Sequence, residues 1–418
     1  MTQNRHTDPQ AVSGSAKPIQ GTTNAPAGRT PRAHLPIVIL ARTTINTSFR
    51  IIYPFLPSIA RGLGISLTAA SGLITLRFIA GVGAPLLGPL ADRYGRRRMM
   101  EVGLLLFTLA SLLLAGIGSF AAATIAFTLY GIAKVLYDPA VHAYLGDVVP
   151  YHERGRAVGV VELSWSSAWL LGVPASGFLI ERFGWRAPWA GLLVLGLLSV
   201  GLTRAGLPPA LSQTTDSSGN PFAASIVTTW RNLLHRRSVM VLLLTSLLLT
   251  LAIEIPFIVY GAWLEATFGL SLTALGLAST VVGLAEATAE LGTTVITDRL
   301  GKRRSVLVGL LCLAASLAAL PWLARFGLAA ALTGVALMML AFEFGLVSLL
   351  PLATELAPDA RATLFSLNVT ALSLSRILGA LVGGWLWRWQ SIALHASVGA
   401  ACALIAALLL ARGMTEIG

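Results

Sequence analysis

Among the ionisable side chains inside long apolar runs of this chain, ten are candidates for chemistry: Arg50, Arg77, Lys134, Asp138, Glu162, Glu254, Glu286, Glu290, Glu343 and Arg376. A charge in hydrocarbon is costly, so such groups face a cavity or a partner and mark solute and ion pathways. The bases can hold an anionic group. The acids can hold a cation or carry a proton. Lys134 and Asp138 are spaced i, i+4, where they can pair with each other or serve a pathway. Glu286 and Glu290 share that spacing with like charge. In a low dielectric one of the two is expected to hold a proton, unless Arg77 or Arg376 neutralises them. Tyr53, Tyr130, Tyr137, Trp165, Trp169, Phe257, Tyr260 and Phe342 lie near these levels and can pack helices or line a pocket.

The elements that carry these groups are membrane spans. Charged residues make up 11% of the 418 positions, against about 25% in a soluble domain. Apolar runs fall at about 36–60, 68–90, 99–118, 121–148, 156–181 and 187–206, then at about 238–264, 271–297, 305–323, 327–354, 361–387 and 391–411. Each is long enough to cross roughly 30 Å of hydrocarbon. They are continuously apolar and not alternating, which favours helices over barrel strands. The expected fold is all-α and integral to the membrane, with twelve spans. Residues 1–34 have a composition that cannot bury a core and read as a disordered tail without the apolar stretch of a signal peptide. Residues 35–206 and 238–418 then form two six-helix bundles. Within the joining stretch 207–237, Phe222, Ile226, Trp230, Leu233 and Leu234 have the spacing of an interfacial helix. Cys312 and Cys402 fall inside apolar runs and imply no disulfide.

An even number of spans puts both ends on one side. Of 30 Lys and Arg, 20 fall on that side, five on the other and five within spans. That bias places both termini in the cytoplasm of a multi-pass cell-membrane protein and accounts for the net charge of +12 without nucleic acid. Arg50, Arg77, Lys134, Glu286, Glu343 and Arg376 then lie roughly 18–23 Å from the cytoplasmic end at 1.5 Å per residue, near the midplane. Arg42, about two turns in, is expected to snorkel to the interface.

The halves repeat. Gly88-Pro-Leu-Ala-Asp92-Arg93-Tyr-Gly95-Arg96-Arg97-Arg98 follows the second run, and Thr294-Val-Ile-Thr-Asp298-Arg299-Leu-Gly301-Lys302-Arg303-Arg304 follows the eighth. Asp147-Val-Val-Pro150 matches Glu355-Leu-Ala-Pro358, and Gly172 and Gly177 match Gly379 and Gly384. Six spans separate the copies, as in parallel repeats. The first loop resembles the hallmark cytoplasmic motif of the major facilitator superfamily, and the loop after the eighth span is a weaker copy. The resemblance implies two six-helix repeats around a central cavity. It also implies a cytoplasmic gate of Gly88, Asp92, Arg93, Gly95, Arg96 and Asp147, with Asp298, Arg299 and Gly301 as counterparts. Gly172-Val-Pro174-Ala-Ser-Gly177 is similar to a motif of that family's drug:proton antiporters, and such small residues also let helices pack closely. Gly131 and Pro139 fit a second antiporter motif. Phe127 stands where that motif has an arginine, and Lys134 can take over the charge.

The mid-membrane charges occupy spans 1, 2, 4, 5, 7, 8, 10 and 11 and are absent from the interiors of 3, 6, 9 and 12. That agrees with the family arrangement, in which the third helix of each triplet lies outermost. None of Arg50, Arg77, Lys134, Glu286 and Arg376 has a charged counterpart in the other half, so the scaffold is symmetric and the cavity is not. A phosphate-binding loop, catalytic triads and metal-ligand patterns are missing from the sequence, so no enzyme activity, cofactor or metal is expected. The expected function is secondary transport by alternating access of a small amphipathic or zwitterionic solute, as proton-coupled efflux. Arg50, Arg77, Lys134, Asp138, Glu254, Glu286, Glu290, Glu343 and Arg376 are the candidates for substrate or proton. The alternative is a uniporter or symporter of an anionic or lipid-like solute; a more distant one is a sensor on a transporter fold. The expected partners are a small molecule, protons and lipids, with the chain a monomer.

Overall fold

The computed structural model describes residues 34–83, 94–208, 222–357 and 360–414. Among these residues the regular structure is helical throughout. Ten helices are long and apolar enough to cross a membrane, and the pair Leu35–Arg50 and Ile52–Leu63, bent by 60°, makes an eleventh span. Leu67–Val82 is a shorter apolar helix at the place of the second span. The rest of that run, with Gly88, Asp92 and Arg93, lies outside the described residues, as do the tail 1–33 and the side chain of Asp298. This is a twelve-helix fold of two six-helix repeats, as the apolar runs predict.

Local chemistry sets the ends and bends of the spans. Ser66 and Ser271 each accept a hydrogen bond from a backbone N–H three residues on, Ala69 at 3.1 Å and Ala274 at 3.3 Å, and so start the second and eighth spans. Both stand in the same Gly-x-Ser-Leu turn, a repeat that the loop motifs alone do not reveal. Gly95 and Gly301 precede the third and ninth spans at φ 89° and 84°, a conformation that only glycine adopts freely. The first span breaks after Arg50. Pro54, in the first turn of the helix that resumes, has no N–H to donate back to it. The seventh breaks at the matching place, after Phe257, beside Pro256. In the fifth, Ala168–Gly172 forms a π-helical turn between Trp165 and Pro174, a wide turn often found at functional sites.

Packing reproduces the repeat. Gly172 meets Thr47 of the first span, and Gly379 meets the Glu254 side chain of the seventh. Five residues on, Gly177 abuts Leu272 of the eighth span, and Gly384 abuts Ser71 of the second. The first of each pair of glycines thus packs its own half, and the second joins the halves. Spans 2 with 11 and 5 with 8 form most of the junction, with the outer parts of 1 and 7 crossing as well. Spans 3, 6, 9 and 12 carry outward-facing Leu109, Leu197, Leu311 and Leu408, suited to lipid. Residues Phe222–Leu234 form a helix packed on spans 7 and 11, with Leu233 buried.

Candidate functional site

Arg50 and Glu286 meet where the halves join. The guanidinium donates to the carboxylate at 2.5 Å, and the Glu286 side chain is 1% exposed. Arg50 ends its helix, so the unpaired carbonyls of the break favour its charge. It also lies 4.7 Å from the centre of the Trp165 ring and 5.1 Å from that of Trp169, both on the fifth span. Burying two ions is costly unless the geometry is good and the remaining polar atoms find partners. Here Glu286 keeps one oxygen, Oε2, without a hydrogen bond. Neither Arg77 nor Arg376, the partners the sequence suggests for Glu286, forms this pair.

A second junction is built on the seventh span. Tyr53 donates to Glu254 at 2.9 Å, and Arg376 of the eleventh span stands 3.4 Å from both the Glu254 carboxylate and the Tyr53 hydroxyl. Tyr53 belongs to one half and the two ions to the other. Glu290, one turn on from Glu286 along the same helix, and Glu343 of the tenth span are half-buried, with no ion-pair or hydrogen-bond partner among the described residues.

The third cluster is internal to the first half. Lys134 binds Asp138 at 2.8 Å and the Asn46 side-chain oxygen at 2.7 Å. Arg42 reaches Asp138 at 3.6 Å and Glu162 at 2.8 Å, and His142 lies 3.4 Å from Glu162. Arg42 therefore does not snorkel: two carboxylates within reach outcompete the interface, and its side chain is buried. Phe127, in the place where the antiporter motif has its cation, lies 5.9 Å from the Arg77 guanidinium, so a positive charge enters there from the second span. Lys134 is turned instead to Asp138 and to the Trp165 ring at 4.2 Å.

On the face of the termini, Arg96 pairs with Asp147 and donates to the Ala143 carbonyl at 2.9 Å. Lys302 pairs with Glu355 at the repeat-related place. Arg97 donates to the Leu207 and Arg204 carbonyls, and Arg303 to that of Ala411, again in matching positions. Each bond stays within one half. Arg299 is exposed. On the opposite face the bonds cross: Arg61 to Glu265 at 2.9 Å, Thr68 to the Gly384 carbonyl at 2.9 Å, and the Thr273 N–H to Glu181 at 2.6 Å.

Sequence reasoning passed over Asn46 and misplaced Arg42. A signal for both was present. Arg42, Asn46 and Arg50 recur every four residues, as do Lys134, Asp138 and His142, and each set makes a polar stripe on one helix face.

Two repeats of six spans, with an ion pair joining them in mid-membrane, define a membrane transporter. The chain belongs to the major facilitator superfamily, whose family model matches residues 38–261 and 242–416. It is 26% identical over 348 residues to the uncharacterised MFS-type transporter YceJ of Bacillus subtilis, covering 82% of this chain and 86% of that one. It is 30% identical over 151 residues to multidrug resistance protein 2 of the same organism, covering 36% of this chain and 37% of that one. A solved D-xylose-proton symporter superposes with TM-score 0.75 at 18% identity, covering 93% of this chain and 99% of that one, which speaks for the fold alone. The chain is a transporter and not an enzyme.

Proposed function

We propose that the protein is a proton-coupled exporter of a small amphipathic or zwitterionic molecule, working by alternating access as a monomer with both termini in the cytoplasm. The Arg50–Glu286 pair carries this reading, because its two members belong to halves that must move apart. When the halves separate, Glu286 loses the cation it is paired with and is free to take a proton. When they close, Arg50 displaces that proton. One site thus alternates between ion pair and protonated acid as the halves rock, which couples proton movement to conformation. Bonds between the halves on the face opposite the termini, beside the within-half pairs Arg96–Asp147 and Lys302–Glu355, support a state open toward the termini. The partial likeness to a multidrug resistance protein favours efflux. Residues 35–206 and 238–418 are the moving bodies in this proposal, and the helix in 207–237 lies in the cytoplasmic interface. The purified chain in liposomes, under an imposed pH gradient and with a panel of amphipathic compounds, should acidify or alkalinise the lumen only when a transported compound is present. Solute movement without any proton flux would refute the coupling.

A further inference from the structure

Every mid-membrane base of the described residues but one has an acid. Arg42 has Asp138 and Glu162, Arg50 has Glu286, Lys134 has Asp138, and Arg376 has Glu254. Arg77 has none. Its side chain is among the largest that are wholly buried, at 2% exposure. One nitrogen, Nη1, donates to the Phe49 carbonyl at 3.1 Å, while Nε and Nη2 are buried without a partner. Rings replace the missing anion: Phe49 at 4.6 Å, Phe78 at 5.3 Å and Phe127 at 5.9 Å from the guanidinium carbon. Aromatic faces soften the burial of a cation but fill neither free donor.

The same rings continue to the other bases. Phe49 also faces Lys134 at 5.2 Å, and Phe78 faces Arg376 at 5.4 Å. The bases thus alternate with aromatic rings along spans 1, 2, 4 and 11. Phe78 is only half-buried, and the second span packs on the eleventh across the junction, so this place lies at the boundary between the halves. Two adjacent guanidinium donors without a hydrogen-bond acceptor match the two oxygens of a carboxylate, and the rings beside them match a planar apolar body.

We propose that Arg77 is the anion subsite of the transported molecule, and that the substrate carries an acidic group next to an aromatic or other flat apolar part. This rests on the transport reading and names its substrate class. The solute's carboxylate would complete the one mid-membrane base among the described residues that has no acid, while Glu286 remains available for the proton.

The test needs no gradient and so stands apart from proton coupling. Aromatic carboxylates, 1-naphthoate among them, are titrated calorimetrically into the purified full chain beside their neutral amides. The acids should bind the native chain more tightly than their amides by about tenfold, the value of a charge-assisted hydrogen bond. Arg77→Lys should keep part of that preference and Arg77→Gln should abolish it while still binding the amides. If Arg77→Gln does not fold, the native chain and Arg77→Lys decide the matter alone. Equal binding of acids and amides, no binding of either, or an undiminished preference in Arg77→Gln overturns the proposal, whatever the proton assays show.

Discussion

Arg50 and Glu286 are 236 positions apart in the chain, and their pairing depends on how two separate bundles dock. Removing one member leaves the other buried and alone, which costs about 3–5 kcal/mol in comparable pairs. Arg50→Met should therefore lower thermal stability in detergent strongly, and Arg50→Met with Glu286→Leu should recover most of the loss. A double-mutant cycle with simply additive losses would mean that the two side chains do not depend on each other. The individual charges were legible in the sequence because each interrupts an apolar run. Their partners were not, since the rotation of each helix and the meeting of the halves decide who faces whom. Lys134–Asp138 was readable for the opposite reason: both sit on one helix, four residues apart.

At the scale of elements, the face opposite the termini is held together by close approach between spans 2 and 11 and between 5 and 8. Gly384 lies against Ser71, with no room for a side chain. Gly384→Leu should wedge this junction, raise the labelling of cysteines introduced on the outer face, and reduce transport at least about tenfold, the effect of a displaced contact that must form in each cycle. Labelling that stays at the native level would show that the junction tolerates the wedge. Glu181→Gln, which weakens the acceptor for the first free N–H groups of the eighth span, should push labelling in the same direction by less. Sequence alone exposed Gly172, Gly177, Gly379 and Gly384 as a repeat. It did not show that the first of each pair packs within a half and the second across halves. The breaks after Arg50 and Phe257 were hidden too, because a proline near a span end signals a bend only once the helix register is known.

For the molecule as a whole, the repeat carries the scaffold and the departures from it carry the chemistry. Arg96–Asp147 and Lys302–Glu355 occupy matching places, whereas Arg50 is matched by Phe257 and Glu286 by Ile79. Twelve spans, the two halves and the charge-free outer spans were all readable from composition and period, because lipid imposes them on every residue. Orientation is checked by tags: both ends should be reached only from the cytoplasm, and a reporter near residue 183 only from outside. A cytoplasmic reporter there would overturn the proposed topology. The gate is checked by Arg96→Gln, which should slow transport several-fold and raise cysteine accessibility from the cytoplasmic side, with insertion unchanged. Native rates and accessibility would reduce that loop to a topology signal.

The central claim is that proton movement runs through the carboxylate that Arg50 holds when the halves are closed. Glu286→Gln keeps the side chain's shape and its ability to accept from Arg50, but cannot be protonated or bear charge. In liposomes, a transported compound should be driven by a pH gradient in the native protein, and should exchange across the membrane with no gradient present. The variant should lose gradient-driven accumulation and keep exchange. Gradient-driven accumulation that survives in Glu286→Gln would contradict the account.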